Sequence, residues 1–227
     1  MENVVRVLST LALKGAMSRL AGQFQAATAT RIDADFAPTV GLLERLRNAE
    51  AADIVILTRE GLDELIVEGT VSADSKVDLA RSYVGIAVKA GAPCPDIATR
   101  AALCKALLAA RSVAYSRIGA SGIYFARLIE QLGIASDINA RAVITAGFTA
   151  ERLLTDEADL AVQQISELKQ VPGVEIVGPV PYELQTPAVF SAGRMAAARQ
   201  PAAADALLTF LSSPEAAPAL RESGLEP

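Results

Sequence analysis

Asp53-Ile54-Val55-Ile56-Leu57 is an apolar run with no polar face of its own. A half-solvated strand would alternate; a continuous run suits a strand covered on both sides, as in a parallel sheet. The sequence on either side agrees. Val4-Val5-Arg6-Val7-Leu8 is a second short apolar run. Leu13, Met17, Leu20 and Phe24 follow at helical spacing and should face a core. Thr30 to Phe36 has period two, with Ile32, Ala34 and Phe36 on one face and Asp33 and Asp35 on the other, where solvent is expected. Helices are expected over residues 39–48 and 60–67. Strand and helix thus alternate three times, which predicts right-handed crossovers and a doubly wound α/β sheet.

A second series begins at Tyr83-Val-Gly-Ile-Ala-Val. Thr99 is placed to cap a helix running to about residue 110. Val113 to Tyr115 reads as a strand. Gly119-Ala120-Ser121-Gly122 leads into a helix near residues 123–132, with Gly133 as its stop. Val174, Ile176 and Val177 read as a short buried strand, and Thr186 to Phe190 as a returning one. Residues 201–211 and 214–221 read as terminal helices separated by Ser212-Ser-Pro. No fixed-period repeat or low-complexity tract interrupts the pattern.

The composition excludes several function classes. The 227 residues carry a net charge of −5 and no run of Lys or Arg, so nucleic acid is not an expected partner. No apolar stretch reaches the length of a membrane span, and no membrane insertion is expected. Histidine is absent, which removes the usual base near pH 7, the usual transition-metal ligand and any Ser-His-Asp site. Cys94 and Cys104 match no zinc or redox spacing and read as two free thiols. No cofactor or metal is called for. The start of the chain has no basic region followed by an apolar one, so it is expected to be cytoplasmic as written, or periplasmic if a leader had been removed.

Open α/β sheets bind ligands beyond the carboxyl ends of their strands. Polar residues follow four of the expected strands: Ser9 and Thr10, Thr39, Thr58, and Ser116 with the Ala120-Ser121-Gly122 turn. Hydroxyls and free N–H groups at helix starts suit an anion. Each is also an ordinary helix cap, and a shared pocket rests on their joint placement. Glu157 to Leu168 adds a further group, because Gln163, Gln164, Ser166 and Glu167 crowd polar side chains into an apolar segment. Such groups need partners, and a ligand is one source. Lys14 could pair with a carboxylate or lie in solvent. Glu167 could be a base, a pocket carboxylate or a cap. Gly119-Ala-Ser-Gly is neither a phosphate loop nor a nucleophile elbow.

In this order the segments resemble the type 2 periplasmic binding proteins, specifically the molybdate-binding-protein-like group of extracellular solute-binding proteins. The landmarks are Val7-Leu-Ser-Thr, Ala52-Asp-Ile-Val-Ile-Leu, Gly85-Ile-Ala-Val-Lys-Ala-Gly-Ala-Pro, Ala120-Ser-Gly-Ile-Tyr-Phe, Glu157-Ala-Asp and Leu211-Ser-Ser-Pro-Glu-Ala. The resemblance implies two lobes, each a mostly parallel sheet flanked by helices, joined by two crossover segments with the ligand between them. It implies residues 1–81 and 185–227 in one lobe and 82–184 in the other. Molybdate binders of the group hold an oxyanion with serine hydroxyls, backbone N–H groups and a tyrosine. Here Ala12, Pro38-Thr39 and Gln163-Gln164 depart from that pattern. The Gln-Gln-Ile-Ser-Glu segment instead resembles a subgroup that includes aconitate isomerase.

Two functions follow from the resemblance. One is a module that closes on a small anion, a di- or tricarboxylate, and serves a transporter's membrane component or a sensor. The other is a cytoplasmic isomerase that shifts an allylic proton on an unsaturated carboxylic acid. For catalysis, Lys14 and Glu167 are the candidate bases. Ser9, Thr10, Thr39, Thr58, Ser116, Ala120, Ser121, Gly122, Gln163 and Gln164 are the candidate ligand contacts.

Overall fold

A computed structural model describes residues 3–227. The chain divides into two units: residues through Ser82 together with Ala188–Pro227, and Tyr83–Pro187. The first unit opens with β1 (Asn3–Ser9), α1 (Lys14–Thr28), β2 (Thr30–Phe36), α2 (Thr39–Arg47), β3 (Ile54–Thr58), α3 (Arg59–Val67) and β4 (Val77–Ser82). The second unit holds β5 (Val84–Lys89), α4 (Arg100–Ala109), β6 (Val113–Tyr115), α5 (Ala120–Gln131), α6 (Ala135–Asn139), β7 (Ala142–Ile144), α7 (Glu151–Leu154), β8 (Leu160–Gln164), α8 (Ile165–Leu168) and β9 (Val174–Pro179). The chain then returns to the first unit through β10 (Ala188–Arg194), α9 (Pro201–Leu211) and α10 (Ala217–Glu222).

The two sheets share one plan. Each has five strands, in the orders β2-β1-β3-β10-β4 and β7-β6-β8-β5-β9. In the first, β1 pairs parallel with β2 and β3, while β10 runs antiparallel to both β3 and β4. In the second, β6 pairs parallel with β7 and β8, while β5 runs antiparallel to β8 and β9. One strand in each sheet therefore runs against the rest. It is the strand that follows a crossing of the chain from one unit to the other: β5 after Ser82, and β10 after Pro187. The α/β plan expected from the alternating pattern is present, with each sheet mostly parallel.

The apolar patterns bury as read. Leu13, Met17, Leu20 and Phe24 of the α1 stripe are buried, in one cluster with Val5, Val7, Ile54 and Ile56. Leu8, Val55 and Leu57 point to the other face, against Leu42, Leu62 and Leu65 of α2 and α3. The central strand β3 is thus covered on both sides, which is why its sequence has no polar alternation. The second unit repeats this, with Ile86, Val88, Val113, Tyr115 and Val162 on one face and Ala87, Ala114 and Ala161 on the other.

Four expectations change. β9 is half-buried rather than buried, because it is an edge strand with β5 on one side only. The returning strand β10 is shifted toward the C-terminus, to Ala188–Arg194, and the last helix starts at Ala217. Asp33 and Asp35 are not simply solvated: Arg6 lies 3.1 Å from Asp33, and Arg45 bonds Asp35 at 2.5 Å and Glu50 at 2.6 Å. The Arg45 guanidinium holds the Asp35 carboxyl below the usual range, against the opposing effect of burial. Cys94 and Cys104 are free thiols. No helix among the described residues is long and apolar enough to cross a membrane.

Candidate functional site

In the first unit the parallel strands β1, β2 and β3 end at one sheet edge, with Ser9 in register with Phe36 and Ile56. Ser9 is buried, and its Oγ donates to the Thr10 carbonyl at 3.1 Å. Thr10 precedes a single 3-10 turn, Leu11–Leu13, that runs into α1, and makes no side-chain cap bond to it. Its buried Oγ1 has no hydrogen-bond partner from the described residues. Thr39 is the first residue of α2, after Pro38. Thr58 behaves as an ordinary cap, its Oγ1 accepting the Gly61 N–H at 3.4 Å. Thr39 and Thr58 both lie against Gly61, within 3.6 Å of where a side chain there would begin. Lys14 opens α1 and is half-buried.

The second unit gathers its candidates more tightly. β6, β7 and β8 run parallel, so Ser116, the loop from Thr145, and the end of β8 lie at one edge. Ser116 Oγ accepts the N–H groups of Ile118 and Gly119, both at 3.2 Å. Ala120, Ser121 and Gly122 form the first turn of α5, and the last two are buried. Gly122 is obligatory: a Cβ there would lie 1.5 Å from the Ser116 carbonyl oxygen. Only a residue without a side chain lets the helix start come this close to the Ser116 backbone.

Gln163 and Gln164 are adjacent on β8, so their side chains leave opposite faces. Both are buried, and their surroundings differ. The Gln163 Oε1 accepts two bonds from Thr149, from its N–H at 2.8 Å and its Oγ1 at 3.0 Å. The Gln163 Nε2 donates to the Gly147 carbonyl at 3.2 Å. Both ends of its amide are therefore engaged within the protein. Gln164 is the opposite case, for its Oε1 is buried with no partner from the described residues, as is Ser166 Oγ. Buried polar atoms normally have partners, which makes these unpaired groups ligand-seeking features.

Glu167 lies in the four-residue α8 and is almost wholly buried. Burial pushes its carboxyl up to about 8, although the Gln164 backbone N–H and the Gln163 side chain both favour the charged form. A carboxyl in this range is neutral at pH 7 yet within easy reach of ionisation. That is the range a general acid or base needs. No cluster of metal-ligating side chains occurs among the described residues.

The sequence pattern of the family described as bacterial extracellular solute-binding protein matches residues 5–226. The chain belongs to that family. It is 38% identical over 228 aligned positions to a protein named aconitate isomerase from a Pseudomonas species, an alignment covering 97% of this chain and 87% of the relative. Among solved structures, the periplasmic molybdate-binding protein of Azotobacter vinelandii superposes with a TM-score of 0.83 at 18% identity, covering 97% of this chain and 98% of that one. A sulfate-binding protein of Mycobacterium tuberculosis gives 0.81 at 15%, covering 99% and 87%. At these identities the structures establish the type 2 periplasmic-binding-protein fold alone.

Within this solute-binding chain, the candidates fall at the carboxyl edge of each sheet: Ser9, Thr10, Thr39 and Thr58 in the first unit, and Ser116, Ala120, Ser121, Gly122, Gln163 and Gln164 in the second. Two groups escaped the sequence reading, Thr149 and the Gly147 carbonyl. Both lie between β7 and α7, and neither β7 nor β8 was expected as a separate strand. Reading Ala142–Ile144 as a strand would have marked the loop after it as one more carboxyl-end loop.

Proposed function

We propose that this protein isomerises an unsaturated tricarboxylate of the aconitate class by an allylic proton shift. The observation that carries the reading is the 38% identity to aconitate isomerase along nearly the whole chain. The site chemistry supports it. In such a shift a base removes a proton from the methylene carbon, the double bond moves by one position, and a proton is returned to the former alkene carbon. The charge on the intermediate spreads into the carboxylate, so hydrogen-bond donors that steady that charge lower the barrier. Glu167, held near 8, suits the proton transfers, and Lys14 is the second candidate base. The hydroxyls of Ser9, Thr10, Thr39 and Ser121 and the amide of Gln164 are the candidate contacts for the carboxylates.

The test is proton NMR of cis- or trans-aconitate incubated with the protein, which follows appearance of the other isomer. Glu167→Gln should lower turnover by roughly 10²–10⁴-fold while the ligand still binds. Full activity in Glu167→Gln would move the base to Lys14, where Lys14→Met makes the matching test. A second reading is favoured by the buried, unpartnered atoms of Thr10, Gln164 and Ser166. They suit a module that only binds a di- or tricarboxylate for a transporter or sensor. Tight binding of aconitate with no conversion over hours would select this reading.

A further inference from the structure

Ser166 and Glu167 ride on α8, a helix of four residues. A single turn does not hold its own position, because starting a helix costs more than its first bonds return. Its place is set by what it rests on. Ile165 follows directly on β8 and turns the chain back over β5, where its N–H donates to the Tyr83 carbonyl at 2.9 Å. Its side chain lies over Gly85, the residue of β5 that pairs with Gln163 of β8. A Cβ at Gly85 would come within 2.7 Å of Ile165 Cγ1 and 3.0 Å of the Gly178 carbonyl oxygen on β9. At the other end of the turn, Leu168 is fully buried in one cluster with Ala161 and with Ala87, two residues along the same face of β5. Ser166 and Glu167 lie between these two anchors. We infer that Gly85 and Ile165 are positioning residues: the contact that only a glycine permits sets how close α8 lies to β5, and with it the place of the Glu167 carboxyl.

The contact leaves no slack. Ile165 is branched at Cβ, so its Cγ1 cannot swing aside without leaving a preferred rotamer. The Gly178 carbonyl closes the opposite side, so a methyl group at position 85 has no second place to go. The turn itself would have to lift, carrying Glu167 with it. Proton transfer is sensitive to such a shift, since a misplacement of about 1 Å can cost about a hundredfold in rate. The role in turnover rests on the isomerase reading, whereas the seating of α8 on Gly85 does not.

The experiment compares Gly85→Ala, Ile165→Ala, the double variant and Gly193→Ala in the full chain, each checked for folding by circular dichroism. Gly193 is the matched control. It lies on β10 in the other sheet, and a Cβ there would come within 2.6 Å of Val71 Cγ1, a comparable clash. Gly85→Ala should lower kcat for aconitate by roughly tenfold to a hundredfold while KM stays within about twofold. Ile165→Ala removes the anchor without a clash and should lower kcat by roughly threefold to tenfold. The double variant should match Ile165→Ala rather than Gly85→Ala, because the added methyl group no longer meets Ile165 Cγ1. Gly193→Ala should lose stability to urea and keep its kcat. A crystal structure of Gly85→Ala should show α8 displaced from β5.

A folded Gly85→Ala with kcat within about twofold of the wild type would overturn the inference. So would an equal fall of kcat in Gly193→Ala, or a double variant no better than Gly85→Ala. If Gly85→Ala does not fold, Ile165→Ala and the double variant carry the test, and wild-type kcat in both would overturn it. If the wild type shows no turnover, the isomerase reading fails and the crystal structure alone decides: a displaced α8 sustains the inference, and α8 in its wild-type place overturns it.

Discussion

Glu167 is the residue for which the sequence leaves the widest choice, a base, a pocket carboxylate or a cap. In the structure it is buried, and burial pushes its carboxyl up to about 8. That state couples to stability. Its folded pKa, about 8, is raised above the ordinary value of 4.5, so between the two the folded chain binds a proton that the unfolded chain has lost. The stabilisation tied to the neutral carboxyl is fully present below the unfolded value and is lost as pH rises through about 8. Glu167→Gln cannot ionise and should not share this loss. Melting curves from pH 5 to 9 should therefore show the wild type falling relative to Glu167→Gln as pH rises, by an amount on the order of a few kcal/mol. Parallel curves would mean that Glu167 ionises freely in the folded state.

At the scale of elements, one buried carboxylate joins three pieces of chain. Asp53 precedes β3, and its two oxygens accept N–H groups from Arg6 of β1 at 2.9 Å and from Arg199 and Gln200 at 2.7 and 2.9 Å. The last two lead into α9, whose Pro201 needs no N–H partner of its own. Asp53→Ala would leave buried N–H groups unpaired and should cost about 3 kcal/mol or more, measured by urea denaturation. Asp53→Asn keeps one acceptor oxygen and should cost less. Equal losses in the two would assign the effect to packing. The sequence marks this residue only as the polar start of an apolar run, since the three donors come from distant positions. The same limit governs the site. β1, β3, α1, α3 and the Thr99 cap of α4 were legible because each is set by local periodicity or local chemistry. β4, β7 and β8 were not, because two are three to six residues long and the third ends in polar residues that only tertiary partners explain. With β7 and β8 unseen, Thr149 had no visible link to Gln163.

At the scale of the molecule, the repeated sheet plan explains why ligand contacts were expected from both halves of the sequence. Each unit ends three parallel strands at one edge, and each edge carries hydroxyls or amides: Ser9, Thr10 and Thr58 in one, Ser116, Gln163 and Gln164 in the other. Neutral donors of this kind hold an anion by oriented dipoles, without the desolvation cost of burying a cation beside it. A ligand held so stabilises the fold it binds. At a hundred times its dissociation constant it should add about 2.7 kcal/mol, which for a chain of this size raises the melting temperature by roughly 5–10 °C. A panel at millimolar concentration should show this shift with cis- and trans-aconitate and smaller shifts with citrate and saturated dicarboxylates. Molybdate, tungstate and sulfate should give none. A shift with the oxyanions alone would place the chain functionally beside the molybdate and sulfate binders whose fold it shares, and would make the Glu167 network a structural device rather than part of a proton-transfer site.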